Sequence, residues 1–201
     1  MIVYVESNFF LEVALGQEQA SPAEAILALA ESGKIQLAFP SFAFSEPFAT
    51  VAQRDRERRR LRMSFIEMLK QLQRSEPHKQ ITSDLQHVPL VLTNIVKKEF
   101  DLLQLTVSRV LSVGKSIEIG ASEFMQALAY QKSFDLSPQD SIVYAAMIAD
   151  LQQRPPAEIK CFVSRNWKDF DDSGIKFELA TYKCRYISSF VQGLNFIQHA
   201  Q

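Results

Sequence analysis

The first sixteen residues, MIVYVESNFFLEVALG, constrain the rest of the chain most tightly. Residues 2–5 are β-prone and apolar, Glu6 is the first charge, and Ser7 is a residue type that caps a helix starting at once. The pattern predicts a short buried strand that ends in a carboxylate and turns into a helix over residues 8–15, stopped by Gly16. In an open parallel sheet, ligands sit beyond the carboxyl ends of the strands, so an acid in that place faces the usual site. Carboxylates that follow other strands in the same way would arrive at the same end of the sheet.

The next segments support such a sheet. Ser21-Pro22-x-Glu24 reads as a helix start, residues 25–30 supply its apolar side, and Gly33 closes it. Residues 35–39, before Pro40, form a second apolar run, so strand, helix and strand make a βαβ unit with a right-handed crossover. Pro47 removes one backbone donor, which places the start of the following helix near Ser45 and its end near Pro77. Residues 75–87 are polar and predict a loop, and residues 90–113 carry apolar side chains near the 3.6 period of a helix. A strand-like 117–119 and a helix over 121–134 follow. Ser137-Pro138-Gln139-Asp140 opens another helix, whose Ala145, Ala146 and Ala149 permit close packing on a sheet. Residues 159–163 predict the third strand and residues 176–179 a fourth. The tail, residues 185–198, sets Ile187, Phe190, Val191, Leu194 and Ile197 on one helical face, which needs a partner surface on this chain or another.

A chain of 201 residues, 47% hydrophobic and 22% charged, closes one substantial core, so a single α/β domain over 1–201 is expected. The net charge of −1 excludes nucleic-acid binding by overall positive charge and leaves local basic patches open. Cys161 and Cys184 lack CxxC spacing and further partners, which argues against a disulfide framework or a zinc site and for a reducing cytoplasm. The apolar start has no basic region before it and is interrupted by Glu6, unlike a secretion signal. No apolar run approaches a membrane span, so no membrane partner is expected.

Four acids occupy comparable places: Glu6 after the first strand, Glu46 after the second, Asp140 at a helix start and Asp169 just past the third strand. Hard divalent cations such as Mg²⁺ take oxygen ligands, so Asp and Glu clustered without His or Cys are the donors they use. Without a cation such acids repel and at least one pKa rises.

In sequence order these stretches resemble the PIN domain, a metal-dependent nuclease fold that includes the VapC-like toxins of bacterial toxin–antitoxin pairs. The matching residues are Glu6-Ser7-Asn8, Pro40 with Glu46, Asp140 with Ala145 and Ala146, and Ser164-Arg165-Asn166-Trp167-Lys168-Asp169-Phe170. The resemblance implies a three-layer α/β/α fold with a short central parallel sheet. It implies an endoribonuclease whose Glu6, Glu46, Asp140 and Asp169 hold Mg²⁺ or Mn²⁺, with RNA as substrate, a homodimer, and an antitoxin partner if the protein is a toxin. Two departures stand out. Glu6 replaces the family's usual Asp, and the separation of Glu46 from Asp140 is longer than usual, so residues 54–115 form an enlarged helical middle.

Plainer readings accompany each candidate. Asp140 is also the third helical position of a Ser137 capping box, and Asn166 with Asp169 repeats that spacing. Ser7, Asn8, Ser164 and Asn166 can orient the acids or merely cap helices. Arg54, Arg58 and Arg62 fall on one helical stripe that can line an RNA path, with Arg165 and Lys168 as further basic candidates; a solvated face with an Asp55–Arg59 pair is the alternative. Glu12 reads as a solvated position, and Trp167 and the phenylalanines as core. The competing function is a PIN-like scaffold that has lost catalysis and serves as a binding or assembly module. A phosphatase of another α/β metal family is disfavoured because no Asp-x-Asp follows the first strand.

Overall fold

A computed structural model describes residues 1–200. Five strands form one all-parallel sheet in the order β3-β2-β1-β4-β5. They are β1 (Ile2–Val5), β2 (Gln36–Pro40), β3 (Lys115–Ile117), β4 (Lys160–Val163) and β5 (Cys184–Ile187). Val3, Val5, Leu37, Phe39, Cys161 and Val163 face one side, and Ile2, Tyr4, Ala38, Phe162 and Cys184 the other. Helices cover both faces, which is why the central strands read as continuous apolar runs rather than as alternating ones. The two cysteines are buried and free.

On the first face lie α1 (Ser7–Leu15), α2 (Ala20–Glu31), α3 (Ser45–Leu72), α5 (Val88–Val113) and α10 (Phe190–His199), with the short α4 (Lys79–Leu85) between α3 and α5 in sequence. Phe9, Phe10 and Phe39 are fully buried there, each worth roughly 2–3 kcal/mol of apolar burial. On the second face lie α6 (Ala121–Phe134), α7 (Pro138–Gln152), α8 (Trp167–Phe170) and α9 (Ser173–Thr181). Ala145 and Ala146 of α7 are buried, as their small size predicted. No helix among the described residues is long and apolar enough to cross a membrane.

Several expectations are corrected. Glu6, not Ser7, caps α1, because its side chain reaches back to the Asn8 N–H. Helix α2 starts at Ala20, ahead of the Ser21-Pro22 pair, and Glu24 is drawn to Arg109 of α5. Helix α3 ends at Leu72, short of Pro77, and the polar stretch taken as a loop contains a 3₁₀ turn (Glu76–His78) and α4, which buries Thr82. Residues 176–179 are helical: Asp172 caps α9 by accepting from the Gly174 and Ile175 N–H groups, and the side chains of Ile175 and Leu179 face inward at i, i+4. The edge strand is instead β5, so Ile187 belongs to a strand and the terminal helix begins at Phe190. The apolar face of that helix is met by this chain, since Phe190 and Ile197 are fully buried against the first-face core.

The strand order sets the location of a site. From β1 the chain winds outward to β2 and β3, then returns to lay β4 on the opposite side of β1. The carboxyl ends of β1 and β4 therefore flank the topological switch point, where the connections diverge and leave a crevice. Glu6 follows β1, and Ser164 follows β4.

Candidate active site at the switch point

Glu6 is 3% exposed. Its Oε2 accepts from the Asn8 N–H at 2.8 Å and its Oε1 from the Ser164 hydroxyl at 2.8 Å. Ser164 is itself buried and accepts the Asn166 N–H at 2.9 Å. The Asn166 side chain then donates to Asp140 Oδ1 at 3.2 Å. One hydrogen-bonded path thus joins the ends of β1 and β4 to the start of α7, and links the two acids Glu6 and Asp140. Asn166 occupies the N-cap position of α8, as its spacing suggested, but makes no side-chain capping bond; its amide donates to Asp140 instead.

Asp140 keeps the capping geometry as well. Its N–H donates to Ser137 Oγ at 3.1 Å, and that hydroxyl donates back to Asp140 Oδ2 at 2.6 Å. Glu46, in the first turn of α3, shares with Asp140 a cleft of about 390 Å³ also lined by Phe42, Ser45 and Ser137. Pro47 is accommodated because α3 starts at Ser45, where the first turn leaves amides unpaired in any case. Asp169 sits on α8, half-buried. Ser7 is buried as the first residue of α1, and Asn8 contributes its backbone amide.

Glu6 lies in the field of Glu46 and Asp140, and Asp140 in that of Asp169 and Glu46. Burial pushes the Glu6 carboxyl up to about 7; its two hydrogen bonds oppose this, and the charges of Glu46 and Asp140 add to it. Asp140 is also raised, first by burial and then by Asp169 and Glu46, against the bonds from Ser137 and Asn166. The donors are all hard oxygens, a set suited to Mg²⁺ or Mn²⁺, and a cation would relieve the repulsion that lifts these pKa values. Among the described residues, no group of three or more His, Cys, Asp or Glu side chains is already arranged to hold a metal ion.

The basic candidates are mostly engaged elsewhere. Arg58 pairs with Glu99 of α5 through two bonds of 2.5 and 2.8 Å, and Arg62 donates to Thr93 at 2.9 Å. The stripe of Arg54, Arg58 and Arg62 is therefore turned toward α5, with Arg54 half-buried a turn earlier. The Asp55–Arg59 pair does form, at 2.8 Å. Arg165 is held by Glu12 and Glu18. Lys168 is exposed, its amine 6.0 Å from the Trp167 ring, and Trp167 is 58% exposed rather than core.

Glu12, like Trp167, departs from its sequence reading. It is 1% exposed, joined to Arg165, and accepts the Gln19 N–H at 2.7 Å. Its position three residues after buried Phe9, inside the apolar FFLEVAL run, was the available signal that it faces inward. Compared with family models, curated proteins and solved structures, the chain finds no match.

Proposed function

We propose that this chain is a PIN-like, three-layer α/β/α endoribonuclease that hydrolyses RNA phosphodiester bonds with a divalent metal ion. The observation that supports it best is the Glu6–Ser164–Asn166–Asp140 hydrogen-bond path at the switch point, with Glu46 and Asp169 near enough to raise Asp140. Glu46, Asp140 and Asp169 are the residues that would hold Mg²⁺ or Mn²⁺, with Glu6 behind them. When bound, the ion supplies charge neutralisation at a phosphate and acidifies water.

The chain's own residues do the positioning. Ser137 and Asn166 fix both oxygens of Asp140, so its carboxylate presents one orientation to the cleft. Ser164 ties Glu6 to the same loop, so displacement of either strand end moves both acids. The Glu12–Arg165 pair anchors that loop to α1 from the other side. An antitoxin partner and a homodimer belong to this reading through the resemblance alone, and a cytoplasmic location through the two free cysteines.

The test is cleavage of single-stranded RNA that requires Mg²⁺ and is abolished by Asp140→Asn in a variant with the wild-type melting temperature. Equal cleavage by wild type and variant would identify a contaminating nuclease and overturn the proposal. A second reading, a scaffold that binds or assembles without catalysis, draws on a specific observation: Glu6 is almost wholly buried with both oxygens bonded within the chain. Mn²⁺ titration separates the two, because binding to the folded state alone raises stability by about 1.4 kcal/mol at tenfold the dissociation constant. An unchanged melting temperature at millimolar Mn²⁺ selects the scaffold.

A further inference from the structure

Residues 54–74 hold eight lysines and arginines against three acids, a formal +5 that leaves −6 on the rest of the chain. The segment runs to the end of α3, the helix whose first turn carries Glu46, and into the turn beyond. The stripe of Arg54, Arg58 and Arg62 lies on the side of α3 that buries Val51 and Leu69 and meets α5. The opposite side is exposed along its length. It begins with Glu46 and Ala49, which line the carboxylate cleft, and continues at three- and four-residue spacings through Gln53, Arg56 and Arg60 to Lys70, with Arg74 in the turn that follows.

Two features of this face lack a purpose within the chain. Arg56, Arg60, Lys70 and Arg74 have no carboxylate partner among the described residues, whereas Arg58, Arg59, Arg109, Arg154 and Arg165 each have one. The acids beside them are engaged, Asp55 by Arg59 and Glu57 by the Gln53 amide, and Glu67 is the only acid at these spacings past the cleft. Arg56 and Arg60, one turn apart, repel each other, and no contact inside the molecule offsets that. The second feature is placement. The carboxylates of the cleft repel a polyanion, and the opposite charge needed to hold one begins about 15 Å further along the same helix, at Arg56.

We infer that the outward face of α3 binds the sugar–phosphate backbone of a single-stranded RNA whose reacting phosphodiester lies in the carboxylate cleft, with Arg56, Arg60, Lys70 and Arg74 as phosphate ligands. This rests on the nuclease reading. Backbone contacts of this kind hold and orient the strand without selecting a sequence. Glu46 and the cations share one helix, so the strand they hold is fixed in position relative to the site. Lys70 stands about 36 Å from Glu46 along α3, which a strand stacked at roughly 3.4 Å per nucleotide covers in about ten nucleotides. The face therefore acts on long RNA and not on fragments confined to the cleft.

The experiment measures binding of a fluorescent single-stranded RNA 20-mer by anisotropy in EDTA across a salt series, and KM for the 20-mer and a 4-mer with Mg²⁺. The double variant Arg56→Gln with Arg60→Gln is expected to lower the salt slope by about 1.4 and to weaken binding about 20-fold at 0.1 M salt, and Lys70→Gln with Arg74→Gln to do the same. KM should rise in step for the 20-mer and by less than about twofold for the 4-mer, with melting temperatures no lower than wild type, since like charges are removed. Lys34→Gln, before β2 at the other end of the sheet, is expected to bind as wild type. Wild-type cleavage accompanied by unaltered 20-mer binding in both double variants overturns the face and leaves the nuclease reading in place. Equal losses on the 4-mer and the 20-mer also overturn it, by placing the effect in the cleft, as does an equal loss in Lys34→Gln, by showing that net charge alone is felt. RNA binding that needs these four residues in a protein that cuts nothing upholds the face and overturns the nuclease reading. A wild type that neither binds nor cuts RNA overturns both.

Discussion

Replacing Glu6 by Gln should flatten the pH dependence of stability, and the size of the effect follows from the burial of this one carboxyl. In the folded chain its pKa is about 7, against 4.5 for the free group, because burial disfavours the charged form and Glu46 and Asp140 add repulsion. A raised pKa means that the folded state holds the proton more tightly than the unfolded state. The associated stability is complete below 4.5 and disappears as the pH rises through 7. That difference corresponds to about 3 kcal/mol in total, of which about 2 kcal/mol is lost between about pH 5.5 and about pH 8.5. Glutamine removes the titration while keeping one oxygen for the Asn8 N–H, and its amide can donate to Ser164 Oγ.

Urea unfolding of wild type and Glu6→Gln at both pH values measures the effect. The wild type should lose about 2 kcal/mol more than the variant on going to the higher pH, apart from the share that Asp140, shifted the same way, contributes to both. The variant should accordingly equal or exceed the wild type at alkaline pH despite an imperfect cap. A wild-type slope reproduced by Glu6→Gln would refute the reasoning, since it would mean that Glu6 ionises in the folded chain as readily as in the unfolded one.

Three further substitutions test how the site is supported. Glu12→Gln breaks a buried pair and strands the Arg165 guanidinium beside Glu18; a loss of about 2 kcal/mol in urea unfolding is expected, below the usual cost of a fully buried pair because Arg165 is partly exposed. Gly16 ends α1 at φ 61° with nothing within 4 Å of an added Cβ, so Gly16→Ala should cost about 1 kcal/mol from backbone conformation alone, read as a lower melting temperature. At Gly193 an added Cβ would stand 2.8 Å from Val163 Cγ1, so Gly193→Ala should push α10 off β4 and cost about 1–3 kcal/mol, with Val163→Ala recovering part of the loss in the double variant.

Much of the frame was legible because it is local. The runs that became β1, β2 and β4 are apolar and bounded by turn residues, and α6 and the core of α7 follow from periodicity and capping. Glu6, Glu46, Asp140 and Asp169 were legible as acids that follow strands or open helices. Errors arose where a short apolar segment has two local solutions. Residues 176–179 carry the apolar content of a strand, but Asp172 caps a helix through them and displaces the edge strand to Cys184–Ile187. Glu12 was misread because charge alone suggests solvent, whereas its partner Arg165 lies 153 positions away.

The sequence by itself determined a parallel α/β chain with acids at its strand ends, since strand, helix and cap preferences depend on neighbours within a few residues. Only the tertiary structure decided which of those acids are buried, that Ser164 and Asn166 join Glu6 to Asp140, that the arginine stripe turns onto α5, and that the terminal helix packs on its own chain. The physical reason is that burial, field and hydrogen-bond partner are properties of a place. That place, the crevice between β1 and β4, exists only once strands far apart in sequence lie side by side.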